Sequence, residues 1–223
     1  MDKKKKHTFL YRNGLTLVLI LFFLLSMTGQ IFTGLNEFND ELAEYGHGPV
    51  ALTGYLTSGH FMQATFENWE SEFLQMGMYV LLTAWLRQLG SSESKDLDGE
   101  EEVDRQPDPT RKGAPWPVRK GGILLKIYRN SLSIAFIILF LASYTLHAAG
   151  SLKNFNAEQS LKGRETVGMV EFMQQSRFWF ESFQNWQSEF VAVISIVVLS
   201  IYLRQYGSPE SKPVDASFED TGG

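Results

Sequence analysis

The chain has 223 residues, of which 44% are hydrophobic and 13% aromatic, with 20 Lys and Arg, 25 Asp and Glu, and no Cys. This composition excludes a disordered chain, a collagen-like fibre and a disulfide-bonded scaffold. The net charge of -5 and the mean hydropathy of -0.12 resemble those of an acidic soluble protein. The charges are unevenly distributed, however, and residues 14–35 and 130–152 contain none.

Residues 14–35 predict a first membrane span. Their 22 residues form about 33 Å of helix, enough for a hydrocarbon core of roughly 30 Å. Lys3 to Lys6 precede the segment as in a signal peptide. No A-x-A-like cleavage site follows at residues 26–30, so we expect the segment to be retained.

The loop that follows predicts a short helix on the outer side of the membrane. Pro49 comes after a Gly46-His47-Gly48 turn and is suited to the first turn of a helix. Such a helix either lies at the membrane interface or packs over the mouth of the helical bundle.

The second apolar segment is shorter than the first. Only 14 uncharged residues separate Glu72 from Arg87, about 21 Å of helix. A span at residues 65–89 therefore draws Glu67 to Glu72 into the outer part of the bilayer. The alternative is a re-entrant hairpin that does not cross.

A linker at residues 96–122 separates this segment from the next. It begins with acidic residues, ends with a Pro-rich basic stretch and lacks apolar periodicity, which predicts disorder. Its basic end either contacts anionic headgroups or belongs to a solvated tether.

The rest of the chain repeats the first part. A shift of 117 residues aligns Tyr11-Arg12-Asn13 with 128–130, residues 66–73 with 183–190 at six identities in eight, and residues 86–95 with 203–212 at eight in ten. The repeat predicts spans at 130–152 and 182–206, with Thr166 capping a second short outer helix. We thus expect membrane repeats at 1–95 and 123–212, and a disordered tail at 213–223.

Basic residues indicate the orientation of the four spans. Sixteen of the 20 Lys and Arg fall on the side that holds both termini and the linker, and four fall on the other side. The positive-inside rule places both termini in the cytoplasm. An even number of spans per copy makes the two repeats parallel. The fold class is all-α integral membrane.

The duplicated polar motif is the candidate site. Its polar members are Asn68, Ser71, Glu72, Asn185, Ser188 and Glu189, with Trp69 and Trp186 as aromatic anchors. Because a carboxylate is costly at bilayer depth, we expect Glu72 and Glu189 to face inward and to approach each other. Candidate partners on the same side are Gln30, His60, His147 and Arg177.

Several functions fit this motif. The polar residues either join helices as structural hydrogen bonds, or they handle protons or cations, or they sense a ligand. Glu72 and Glu189 are the acids that both copies retain, since Glu67 and Glu70 align with Gln184 and Gln187. A non-enzymatic interaction or envelope-organising role is favoured, because few polar residues line the lower parts of the second spans. A small proton or cation transporter is the alternative, and an enzyme ranks third.

Other chemistry lacks support in the sequence. There is no Walker loop, nucleophile elbow or dinucleotide fingerprint, and four His without an H-x-x-x-H pair predict no metal site. No cofactor is expected. The short basic runs next to spans indicate topology rather than nucleic-acid binding. Expected partners are the lipid bilayer and either a second copy of the chain or another membrane protein.

The duplicated Asn-Trp-x-Ser-Glu-Phe motif, the Leu-Arg-Gln-x-Gly-Ser sequence after each second span and the Tyr-Arg-Asn start of each first span support a family resemblance. The chain resembles an uncharacterised family of small bacterial membrane proteins, a domain of unknown function. This resemblance implies an inner-membrane location and no particular activity.

The four-span topology predicts that a reporter fused after Ser94 lies in the cytoplasm, because two spans precede that residue. Alkaline phosphatase fused there should be inactive, and green fluorescent protein should fluoresce. An active phosphatase at this position would contradict the topology.

Overall fold

The computed structural model describes residues 8–222, which form α-helices and one short 3₁₀ helix without any strand. Lys3 to Lys6 and Gly223 lie outside these residues. The long helices are α1 (Phe9–Glu44), α3 (Gly59–Trp85), α6 (Ser131–Leu161) and α8 (Ser176–Tyr202). The short helices are α2 (Leu52–Leu56), α4 (Trp116–Lys120), α5 (Gly122–Arg129) and α7 (Met169–Met173), and Glu102–Asp104 is the 3₁₀ helix. The prediction of an all-helical chain is confirmed.

Three of the long helices are apolar enough to cross a membrane. Among residues 8–222, α1, α6 and α8 meet this criterion by length and composition, whereas α3 does not. The length and apolar character predicted for membrane helices are thus confirmed for three helices. The span at 65–89 stays a prediction.

Helices α3 and α8 end four residues earlier than predicted, since the predicted spans at 65–89 and 182–206 extend to residues 89 and 206. Arg204 Nη1 donates hydrogen bonds to the carbonyl oxygens of Ser200, at 3.1 Å, and Leu203, at 2.8 Å. Arg87 Nη1 does the same for Leu86, at 3.1 Å. The guanidinium groups thereby satisfy carbonyls that the last helical turn leaves unpaired.

Both predicted short helices are present as α2 and α7. Their N-cap residues are Ala51 and Gly168, so Pro49 does not open α2 and Thr166 does not cap α7. The loops before them are closed in the same way. Asn39 Oδ1 accepts from the Val50 amide at 2.7 Å, and Asn156 Oδ1 accepts from the Val167 amide at 2.9 Å.

The chain divides into two compact units. The first comprises residues 1–63 and 150–167, and the second comprises residues 64–149 and 168–223.

Glycines permit close backbone contact in the first unit. A Cβ atom added at Gly59 would lie 2.2 Å from the Asn154 amide nitrogen, and one added at Gly150 would lie 2.7 Å from the Gln63 amide nitrogen. The start of α3 and the second part of α6 therefore touch through their backbones. Asn154 Nδ2 adds a hydrogen bond to Gln63 Oε1 at 3.0 Å.

In the second unit, the C-terminal segment packs on the loop after α3. The Gly90 amide donates to Thr221 Oγ1 at 2.9 Å, and Ser91 Oγ lies 3.1 Å from Ser200 Oγ. Lys212, which is buried, donates to the carbonyl oxygens of residues 217, 218 and 220. The disorder predicted for residues 96–122 and 213–223 stays a prediction. The contacts of Gly90 with Thr221 and of Lys212 with residues 217, 218 and 220 involve residues of this tail.

The glycine contacts generate a stability prediction. Gly59→Ala and Gly150→Ala should each destabilise the protein by about 1–3 kcal/mol through overpacking, more than the gain of at most about 1 kcal/mol that alanine brings to a helix. Thermal unfolding in detergent measures the difference. Gly29→Ala is the matched control, because nothing lies within 4 Å of its added Cβ. Equal melting temperatures for all three variants would contradict the close packing.

Candidate functional site

A buried pair of hydrogen-bonded ionisable side chains lies at the centre of the second unit. Glu70 on α3 and His147 on α6 both have fully buried side chains, with Nδ1 of His147 at 2.5 Å from Oε2 of Glu70. The other carboxylate oxygen, Oε1, accepts a hydrogen bond from the Trp186 indole on α8 at 2.9 Å. One carboxylate therefore joins three helices.

Aromatic rings enclose the imidazole. The Phe178 ring stacks on His147 with centroids 5.3 Å apart and planes at 29°. Phe172 on α7 packs against Phe178 at 5.7 Å, and both phenylalanines are 0% exposed. The pair thus lies in an apolar surrounding, where charges interact strongly and are expensive to leave unpaired.

Two further carboxylates, those of Glu67 and Glu181, lie near the imidazole of His147. Oε2 of Glu181 is 3.7 Å from Nε2 of His147, and Oε1 of Glu181 accepts from Arg177 Nε at 3.0 Å. Glu67 accepts a hydrogen bond from the Asn185 amide group. One ligand atom each from Glu67, His147 and Glu181 lies within 4.8 Å of the other two.

Helical spacing explains how the chain assembles this cluster. Glu67 and Glu70 are three residues apart on α3, and Glu181 is four residues from both Arg177 and Asn185 on α8. Such spacings place side chains on one face of a helix. The Asn185 amide group also donates to the Glu181 carbonyl oxygen at 3.1 Å, which anchors it to α8.

Four of the predicted site residues belong to this cluster. His147 and Arg177 were candidate partners, Asn185 was a polar member and Trp186 an aromatic anchor. Each now contacts a glutamate that the sequence analysis did not select. Ser71 is also buried, and its hydroxyl donates to the Asn68 carbonyl oxygen at 2.8 Å.

The expectation that Glu72 faces inward is wrong. Glu72 is exposed, and Glu189, whose carboxyl lies close enough to interact with that of Glu72, is half-buried. The two acids do approach each other as expected. The physical reason for the error is the helical turn of about 100° per residue. Glu70 and Glu72 point in nearly opposite directions, so burying Glu70 turns Glu72 outward.

The remaining predicted residues lie elsewhere. Asn68 and Ser188 are exposed, and Trp69 packs edge-on against Phe66 of its own helix. Gln30 and His60 belong to the first unit, where His60 Nδ1 lies 3.4 Å from the Tyr55 hydroxyl.

Sequence reasoning missed Glu67, Glu70 and Glu181. Aligning the two halves pairs Glu67 and Glu70 with Gln184 and Gln187, and Glu181 with Ala64. These differences looked like tolerance of substitution. They mark instead the positions at which only one copy contributes an acid to the buried cluster.

The fold and the site define an all-helical protein with membrane-length apolar helices and a buried carboxylate and histidine cluster. A family model matches residues 6–223, and the chain belongs to this family, the domain of unknown function DUF6766. No curated protein and no solved structure matches the chain.

The buried pair predicts a large effect of truncating Glu70. Glu70→Ala should destabilise the protein by about 3–5 kcal/mol, because it leaves His147 and the Trp186 indole without their shared acceptor. Thermal unfolding in detergent, followed by tryptophan fluorescence, measures the change.

Gln187→Ala is the matched control. Gln187 aligns with Glu70 in the other half, but its side chain is exposed and bonds only its own helix at Gln184, so the change should stay within about 0.5 kcal/mol. Similar losses in both variants would show that the Glu70 contacts contribute little.

Proposed function

We propose that this protein is a non-enzymatic integral membrane protein that interacts with other membrane components and organises them. One observation supports this role above the others. The Glu72 carboxyl lies exposed on α3, close enough to the Glu189 carboxyl on α8 to interact with it. Polar groups on the outside of a membrane helix are costly in lipid, and a protein partner that covers them removes the cost.

The buried cluster supplies the rigidity that such a role requires. Glu70 links α3 to His147 on α6 and to Trp186 on α8, and Glu67 links α3 to Asn185 on α8. Hydrogen bonds between helices in a buried polar network hold the helices in one arrangement. We propose that it fixes the helices while the outer polar pair contacts a partner.

The proposal includes α3 as a fourth span. Its 27 residues reach about 40 Å, longer than a hydrocarbon core. Its length equals that of α8, and Glu67 and Glu70 on α3 bond to α6 or α8. Partnered acids are the kind that membrane helices accommodate.

Two parallel repeats are also part of the proposal. Helices α2 and α7, like α3 and α8, have equal lengths and begin 117 residues apart. The loops after α3 and α8 are closed alike, since the Gln88 amide donates to Ser94 Oγ at 2.8 Å and the Gln205 amide donates to Ser211 Oγ at 2.9 Å. These matches support a duplication. From the distribution of the basic residues we propose that the two copies cross the bacterial inner membrane with both termini in the cytoplasm and α2 and α7 on the outer side.

A proton or cation transporter is the second candidate. The proximity of the Glu72 and Glu189 carboxyls favours it, because two carboxyls at close range can share one proton.

Site-specific photo-crosslinking tests the interaction role. A photoreactive residue in place of Asn68, one turn from Glu72 on the exposed face, should form a discrete adduct in cells. If the partner is a second copy of the chain, the adduct has twice the mass of the chain. If the partner is a different membrane protein, the adduct has another mass. The same residue at Leu82, an exposed apolar position of α3, should form none, because we expect it to face lipid.

Proton flux in proteoliposomes decides between the two candidates. The interaction role predicts no dissipation of a pH gradient beyond that of empty vesicles. Flux in the wild type that disappears in the Glu72→Gln, Glu189→Gln double variant, without an adduct at position 68, would establish the transporter instead.

A further inference from the structure

We infer that Glu67, His147 and Glu181 form a binding site for a divalent first-row transition-metal ion such as Zn²⁺. One oxygen from each glutamate and one imidazole nitrogen lie within 4.8 Å of one another. Four-coordinate zinc needs ligand atoms at about 2.0–2.2 Å from the metal, hence about 3.3–3.6 Å from each other. Small side-chain rotations close the difference, since Nε2 and Oε2 of Glu181 are already 3.7 Å apart.

The unpartnered nitrogen of His147 points to a cation. Among the residues that the structure describes, Nε2 has no hydrogen-bond partner although the side chain is fully buried. The separation of 3.7 Å from Glu181 is too long for a hydrogen bond. A buried polar atom without a partner is unfavourable, and a metal ion between Nε2 and the two carboxylates would satisfy it.

The other imidazole nitrogen is held as metal-binding histidines require. Nδ1 donates to Glu70 at 2.5 Å, which leaves the Nε2 lone pair available in the neutral ring. In zinc sites, the imidazole nitrogen that does not bind the metal usually donates a hydrogen bond to a carboxylate or a carbonyl oxygen. The Trp186 indole in turn fixes Glu70.

Each glutamate ligand is oriented as well. Asn185 donates to Glu67, and Arg177 donates to Glu181 at 3.0 Å. These hydrogen bonds fix the position of each carboxylate next to His147. All three proposed ligands therefore have an outer partner that holds them in place.

The charges balance with a divalent ion. Glu67, Glu70 and Glu181 bring three negative charges and Arg177 brings one positive charge, which leaves -2 when the imidazole is neutral. A divalent ion cancels this excess, and low-dielectric surroundings favour a neutral cluster. The imidazole selects transition metals over Mg²⁺ and Ca²⁺, which prefer oxygen ligands alone.

The experiment measures metal in the full-length protein, purified in detergent without a polyhistidine tag. Metal removed by a chelator is replaced by titration with Zn²⁺, and binding is followed by calorimetry and by Trp186 fluorescence. We expect about one Zn²⁺ per chain with tetrahedral coordination, and no comparable uptake of Mg²⁺.

The variants follow the alignment of the two halves. Glu67→Gln and His147→Gln introduce the residues at the equivalent positions 184 and 30, and Glu181→Gln keeps the shape of the side chain. Each should abolish stoichiometric binding. Glu70→Gln should weaken Zn²⁺ binding roughly 10–100-fold, as loss of an outer partner does.

His47→Gln and Glu171→Gln, which change an exposed loop histidine and an exposed α7 glutamate, should bind Zn²⁺ like the wild type. Circular dichroism and gel filtration establish that each variant is folded. If the His147→Gln variant does not fold, the Glu67→Gln and Glu181→Gln variants test the metal site in its place.

Failure of folded wild type to bind Zn²⁺, or equal binding in the folded ligand variants, would overturn the metal site. Neither result bears on the crosslinking at position 68, so the site and the interaction role are tested separately.

Discussion

The second unit depends on one interaction, the contact of the Glu70 carboxylate with His147 and Trp186. It is fully buried at the glutamate and at the imidazole, and it connects α3, α6 and α8. In a bilayer, burial of apolar side chains does not by itself hold helices together, because lipid is as apolar as the side chains. Specific polar contacts and close packing therefore decide which helices associate and in which rotation.

Charge in the same region constrains the surrounding residues. A fully buried carboxylate needs donors, and the chain supplies them from the imidazole and the indole. Glu67 and Glu181 extend the negative charge and bring their own donors, Asn185 and Arg177. Among the described residues, Nε2 of His147 has no hydrogen-bond partner, and both acids lie near the imidazole. The metal site that we propose rests on this combination of oriented carboxylates and one unsatisfied nitrogen.

The two halves of the chain contribute unequally to this region. Glu67, Glu70, His147 and Glu181 align with Gln184, Gln187, Gln30 and Ala64. The lengths of α2 and α7, those of α3 and α8, and several loop contacts match between the halves, whereas the ionisable cluster does not. Residues at these unequal positions form the buried cluster, and residues that match, such as Glu72 and Glu189, lie together at a more exposed place.

Local sequence patterns and the internal repeat were sufficient to predict the long helices. Uncharged runs and turn residues predict α1 and α6, and the repeat predicts that α7 and α8 correspond to α2 and α3. The sequence also identified His147, Arg177, Asn185 and Trp186 as residues of interest. It did not determine which face of α3 turns inward, because spacing shows only which residues share a face. Glu70 meets His147 and Trp186 across separations of 77 and 116 residues. No local pattern encodes such meetings, so the tertiary packing alone selected Glu70 over Glu72.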